Sequence, residues 1–308
     1  MLTAVFSLAG AFVFGAADFL GGLASKRVSS LLATGVASLT GFVLLLAALP
    51  LLGGTWMPGD LLWSILAGLA GAVAISLLYA CLAIGPMSIL SPLTALVSAV
   101  VPMVWGLVVG GERFGALGYW ALGLALVAVV LVGFVPERGA VRPSLRGILM
   151  AVGSGIAIGA FFITIDQTSE QSGLLPLMVN RIVVGAIMFA VLGVLALVGR
   201  ARRRRRDEPS LERMPRPSTV GAPVAPARST TALGVQLAIA CGAVDVVANG
   251  LLLLGIRAGD LSVAAVLGAM YPAGTILLAA LVLKERIAPV QWVGLVLALA
   301  AAGMLAVA

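Results

Sequence analysis

Residues 110–133, GGERFGALGYWALGLALVAVVLVG, decide the fold, because residues 283–306, LKERIAPVQWVGLVLALAAAGMLA, repeat them. Glu112-Arg113 and Glu285-Arg286 stand 173 residues apart, and at that offset Leu122, Leu124, Ala125 and Ala128 match Leu295, Leu297, Ala298 and Ala301. Leucine and alanine matches are cheap in apolar helices; a charged pair in the same place is not. A fainter match sets FVFGAADF (12–19) against IAIGAFFI (156–163). The chain therefore reads as two copies of one unit, residues 1–137 and 138–308.

Composition says where those units live. Of 308 residues, 61% are hydrophobic and 31 are charged. Soluble domains carry about 25% charged residues, so neither an ordinary soluble enzyme nor a disordered chain fits. Ten apolar runs are legible: 2–24, 31–52, 61–84, 89–109, 117–135, 147–165, 174–199, 232–256, 261–283 and 287–308. Most fit the roughly 17–25 residues that cross a bilayer as a helix. Lipid offers the backbone no hydrogen-bond partner, so all ten are expected to be α-helical. The first run contains Asp18 and leads straight into the second, so it reads as a span and not as a cleaved signal. The expected class is an all-α polytopic membrane protein of ten spans. Five spans per unit is an odd number, so the two units would lie in opposite orientations, as in transporters built from inverted repeats.

Charge placement orients the chain. Sixteen of the nineteen Lys and Arg residues fall in loops after odd-numbered spans, two fall in the even loops, and Arg181 lies inside a span. The positive-inside rule puts the odd loops in the cytoplasm and both termini outside. The expected location is a plasma (inner) membrane of bacterial type. Residues 200–231 begin RARRRRRDE and continue through five prolines, a composition that predicts a disordered linker. The cluster Arg202–Arg206 is a candidate contact for anionic lipid headgroups. The +7 balance thus describes topology, and no nucleic-acid partner is expected. Histidine is absent, and Cys81 and Cys241 sit in apolar runs without metal-ligand spacing. No cofactor and no metal are expected.

Five-plus-five spans with Glu-Arg motifs after spans 4 and 9 resemble the EamA-type drug/metabolite transporters of the drug/metabolite transporter superfamily. Residues 245–286, from DVVANG to LVLKER, carry that resemblance most specifically. It implies ten helices and secondary export or exchange of small solutes such as amino acids, other metabolites or drugs. It also implies termini inside, whereas the charge count places them outside. The first helix is similar to that of small multidrug resistance proteins, where a membrane carboxylate precedes a lysine by eight residues, as Asp18 precedes Lys26 here. That similarity implies exchange of protons and substrate at Asp18.

The residues support a site independently. A charge at membrane depth costs about 2.5–3.5 kcal/mol on insertion scales, so it should face the bundle interior or a water-filled cavity. Asp18 shares a helix face with Ala11, Gly15, Gly22 and Ser25, a face suited to close packing or a cavity wall. Asp245 lies near the centre of span 8 with Asn249 one turn on, and Arg181 lies in span 7 beside Asn180. An Arg181–Asp245 pair linking adjacent antiparallel helices is one expectation; a substrate contact that opens in transport is the other. Tyr79, Trp105 and Tyr271 are candidate cavity aromatics, with packing or interface anchoring as the alternative. Pro92 and Pro102 in span 4 and Pro272 in span 9 are candidate helix breaks near the site. Asp166, Gln167 and Glu170 read as interfacial, and the two Glu-Arg pairs as caps of helical hairpins. The Gly153–Gly155 motif invites a serine hydrolase, but with no histidine it reads as helix packing.

The expected function is a secondary transporter, not an enzyme, working by alternating access as a monomer or homodimer. Asp18 would carry a coupling proton, the alternative being a helix-end carboxylate paired with Arg27 or a backbone group, and Arg181, Asp245 and Asn249 would shape the polar site. No phosphate-binding loop is present in the sequence, so a gradient must supply the energy. The alternative is a non-transporting membrane scaffold or a lipid-translocating subunit.

Overall fold

The computed structural model describes residues 1–84, 87–133, 143–207, 228–282, 284 and 287–307. The elements are α1 (Leu2–Ser25), α2 (Ser30–Leu52), α3 (Asp60–Ile84), α4 (Met87–Val108), α5 (Ala116–Gly133), α6 (Leu145–Asp166), α7 (Leu175–Asp207), α8 (Arg228–Arg257), α9 (Leu261–Gly268), α10 (Tyr271–Val282) and α11 (Pro289–Val307). Among the described residues there is no strand. Among the described residues nine stretches are long and apolar enough to cross a membrane, and Pro92–Val108 of α4 is a shorter one.

The ninth run is divided. Gly268 ends α9, Ala269 and Met270 form the turn, and Tyr271 opens α10. Pro272 is the cause, since it has no N–H to continue the ladder and its ring crowds the carbonyl four residues back. Pro92 and Pro102, expected as breaks, instead lie inside an unbroken α4. Their rings are held in packing seams: Cβ atoms built on Gly133 and Gly159 would come within 3.2 Å of Pro92 and 3.0 Å of Pro102. Neighbouring helices can hold a proline-containing span together in this way.

A second difference concerns the predicted linker over 200–231. Helix α7 runs on through Arg200–Asp207, and α8 already begins at Arg228. Arginine is a good helix former, and the first proline of that segment is Pro209. The rest of the linker, 208–227, lies outside the described residues, as do Glu285-Arg286; the side chains of Arg202–Arg206 are likewise not described.

The packing follows a rule. Helix α1 packs chiefly on α8 and on α9–α10, while α6 packs chiefly on α3 and α4. Helix α2 packs on α7 and α8, α7 on α2 and α3, α5 on α11, and α4 on α9. Exchanging each span for the one five later turns α1–α8 into α6–α3, α1–α9/α10 into α6–α4, and α2–α8 into α7–α3. The remaining three pairs map onto themselves.

Small residues set the closest approaches, as expected where apolar helices gain little from burial against lipid. Gly15 of α1 lies against the α10 backbone at Tyr271, Gly274 and Thr275, and the Thr275 hydroxyl donates to the Gly15 carbonyl at 3.1 Å. Gly159 of α6 packs on Val101 and Pro102 of α4 in the corresponding place. Gly242 of α8 lies against the backbone of Ala37 in α2. Ser154 donates to Ala74 O at 2.8 Å and so joins α6 to α3, which gives the Gly153–Gly155 motif a packing role.

The bundle has two ends. One carries Met1 and the loops between α2 and α3, α4 and α5, α6 and α7, and α8 and α9; we call it the terminal face. The other carries the α1–α2 loop and the arginine-rich end of α7; we call it the arginine face.

Adding a side chain at Gly242 should separate α2 from α8. Gly242→Leu is expected to cost about 1–3 kcal/mol, as overpacking does, and to lower the thermal midpoint of the purified protein. Gly22→Ala, where an added Cβ meets nothing within 4 Å, should unfold like the unaltered chain.

Candidate functional site

Charged and polar side chains from three helices meet inside the bundle. Helix α1 brings Asp18, α7 brings Asn180 and Arg181, and α8 brings Asp245 and Asn249. Arg181 Nη2 and Asp245 Oδ2 form an ion pair whose side chains are 11% and 20% exposed. Asn249 Nδ2 donates to Asp245 O at 2.8 Å and to Asp245 Oδ1 at 3.2 Å. One helical turn separates the two residues, so α8 itself fixes the orientation of the Asp245 carboxylate.

The pair does not join two packed neighbours. Helix α7 rests on α2 and α3, and α8 on α1 and α2, so Arg181 reaches across α2 to Asp245. Gly41 of α2 gives its stem room: a Cβ there would lie 3.3 Å from Arg181 Cδ and 3.0 Å from Val246 Cγ2. The expectation of a bridge between adjacent helices is corrected to a bridge over a third. Arg181 Nε is buried and has no partner among the described residues.

Asp18 differs from Asp245. It lies seven residues before Ser25, the last residue of α1, which is about 10 Å along the helix. Its side chain is exposed, although it lies among the helices and not at a loop. Two cavities explain this. The larger, about 210 Å³, is lined by Asp18, Asn180, Arg181, Asp245, Asn249 and Tyr271, with Ser98 and the rings of Phe14, Phe161 and Phe162. The smaller, about 140 Å³, lies nearer the arginine face between α1, α2 and α8, and takes in Gly21, Ala33, Thr34, Ala37, Ala238 and Cys241. Asp18, Arg181 and Asp245 line both. No hydrogen bond or ion pair to Asp18 is found among the described residues. Both acids and the arginine are within the apolar bundle, so with all three ionised the site carries one excess negative charge.

The sequence-predicted residues divide as follows. Asp18, Asn180, Arg181, Asp245, Asn249 and Tyr271 come together at the larger cavity. The helix break at Ala269–Met270 lies at the same place, with Gly268 and Ala269 in the cavity wall. Trp105 lines neither cavity and is 37% exposed. It lies two turns beyond Ser98 toward the end of α4, a depth where amphipathic rings anchor at the interface. The side chain of Tyr79 lies outside the described residues. Gln167 bonds Asp166 at 3.1 Å, and both stand at the terminal face with Glu170. Glu112 accepts from the backbone of Leu261 at 2.7 Å and of Ser262 at 3.2 Å, so its carboxylate caps the start of α9. Phe161 and Phe162 were not singled out by the residue reading. The alignment of FVFGAADF with IAIGAFFI sets Phe162 opposite Asp18 and could have found it.

Comparison with known proteins follows the same architecture. The family model described as EamA-like transporter family matches residues 145–307. A solved structure titled "Crystal structure of protein" superposes with a TM-score of 0.70 over 98% of this chain and 95% of that one, at 16% sequence identity. That likeness is one of fold. No curated protein matches the sequence.

Removing one partner of the pair should strand a buried charge. Arg181→Ala is expected to cost about 3–5 kcal/mol, read as a lower thermal midpoint. The double replacement Arg181→Gln with Asp245→Asn should recover much of that loss.

Proposed function

The chain belongs to the EamA-like transporter family and is a membrane transporter of the drug/metabolite type, and from that premise we propose that it is a secondary active transporter that exports or exchanges a small solute by alternating access. The observation that carries this reading is Asp18: a carboxylate without a hydrogen-bond or ion-pair partner among the described residues, lining the cavity beside an Arg181–Asp245 ion pair. A bare charge in an apolar bundle is costly to keep. It is worth keeping where a proton or a solute cation takes the place of the missing partner, and proton relays in pumps and transporters use intramembrane acids in this way.

In this reading the two halves are inverted repeats that rock against each other around the site. The exchange rule in the packing and the matching contacts of Gly15 with α10 and Gly159 with α4 support it. The broken span α9–α10 supplies irregular backbone at the cavity wall, the usual place for a midplane site. Arg181 neutralises Asp245 in the solute-free state and is freed when solute binds. The larger cavity is smaller than the roughly 300 Å³ at which drug-sized pockets begin, which favours a solute of amino-acid or metabolite size. The aromatic rings and the apolar wall favour a solute with an apolar part. An internal cavity lined by these charges also favours solute transport over a scaffold, whose ion pair would need no open space beside it. The arginine face is read as cytoplasmic and the termini as outside, on the charge count.

The test is flux in proteoliposomes over a panel of amino acids, metabolites and organic cations, with a pH gradient imposed. Asp18→Asn is expected to fold and to bind solute, but its flux should no longer respond to the gradient. An unaltered pH-gradient response in Asp18→Asn would remove the coupling role.

A further inference from the structure

The terminal-face end of the bundle is closed by packing from both halves. On the terminal-face side of the larger cavity lies one continuous apolar cluster. It draws Leu45 from α2, Ala67 from α3, Phe162 and Ile165 from α6, Leu177 from α7, Leu252, Leu253 and Ile256 from α8, and Leu261, Ala264 and Ala265 from α9. Six helices from both halves thus meet in a solid plug. Toward the arginine face the described residues form smaller apolar patches: Ala24, Ala33 and Ala238; Ala72, Val184 and Met188; and Cys81, Leu90 and Ala151, and the smaller cavity lies on that side.

A polar layer caps the plug. Arg257, the last residue of α8, donates from Nη1 to Gly173 O at 2.8 Å and from Nη2 to Ser169 O at 2.9 Å and to Ser172 Oγ at 3.2 Å. Ser169 in turn donates to Asp60 at the start of α3, from its backbone N–H at 2.9 Å and from its hydroxyl at 2.6 Å. The Thr55 N–H donates to Gln171 O at 2.9 Å. The α2–α3 loop of the first half, the α6–α7 loop and the end of α8 are thereby tied into one unit. Asp60 is only 4% exposed although it stands at a helix end. The charge-assisted bonds of Arg257, roughly twice as strong as neutral ones, lie within the second half and hold the Ser169–Gly173 loop in place; the ties that cross between the halves, Ser169–Asp60 and Thr55–Gln171, are the ones a rocking of one half against the other would break.

We propose that the Asp60–Ser169 and Thr55–Gln171 ties, with Arg257 holding their loop in place, are the latch of a two-layer gate at the terminal face, and that the structure is the state in which that gate is shut. The inference rests on the alternating-access reading, since a gate is meaningful only if a second state opens it. In the second state those ties break, the plug parts where Leu45 of α2 and Ala67 of α3 meet the second-half helices, and the cavity beside Asp18 opens to the terminal face.

Thiol labelling tests this without any solute. Native Cys241 lines the smaller cavity and reports access from the arginine face, in a Cys81→Ala background. Ala265→Cys, placed in the plug in a background lacking both native thiols, reports access from the terminal face. With Arg257 intact, a membrane-impermeant maleimide should label Cys241 from the arginine face and leave Ala265→Cys nearly unreactive from the terminal face. Arg257→Gln is expected to raise Ala265→Cys labelling by roughly ten-fold, the population shift that follows from losing a charge-assisted bond, and to slow Cys241. A disulfide between Thr55→Cys and Gln171→Cys, formed before labelling, should return Ala265→Cys to the slow rate. Ser169→Ala cuts one tie without stranding a charge and keeps the test open if Arg257→Gln does not fold; it should shift both rates the same way by a smaller factor. Unchanged rates in the folded variants would overturn the latch. A latch that responds in a protein that moves no solute in the flux assay would instead overturn the transport reading and leave the conformational one.

Discussion

The rest of the structure depends on the cost of keeping charge inside an apolar bundle. Arg181 and Asp245 meet that cost together, and they do so by reaching over α2 at Gly41, not by lying on packed neighbours. This geometry holds α7 and α8 apart and leaves the space that becomes the cavity. Asp18 borders that space with no hydrogen-bond or ion-pair partner among the described residues. A bundle selected for stability alone would pair it or replace it, since an uncompensated buried charge gains nothing from packing. In the proposed reading, a proton or solute supplies the partner that Asp18 lacks among the described residues.

Backbone chemistry shapes the same place. Lipid forbids unsatisfied peptide groups, so spans are helices wherever they face it. The one described span that breaks does so at Ala269–Met270, within the cavity wall. The corresponding span in the first half, α4, keeps its two prolines inside a continuous helix because Gly133 and Gly159 give their rings a seat. The two halves share a packing scheme but not this detail.

Much of this was legible in the sequence. Hydropathy located the helices, because in lipid the length and polarity of a run nearly dictate its structure. Asp18, Arg181 and Asp245 stood out because charge is scarce enough for each one inside a span to need a reason. Other features were hidden for physical reasons. Whether a proline breaks a helix depends on its neighbours, so Pro92 and Pro102 read the same as Pro272. Trp105 has the chemistry of a cavity aromatic, and only its depth along α4 assigns it to the surface. The arginine cluster after Gly199 looks like loop by charge, yet its intrinsic propensity is helical and α7 continues through it. Arg257 and Asp60 lie at helix ends, where charges are ordinary, and nothing in the one-dimensional pattern says that they share the Ser169 loop.

The central claim is that Asp18 exchanges a proton for solute. Its most direct test is proton release by the purified protein in weakly buffered solution on adding a transported solute. The account predicts release from the unaltered chain and none from Asp18→Asn, with solute still bound by both. Equal release from the two proteins would contradict it.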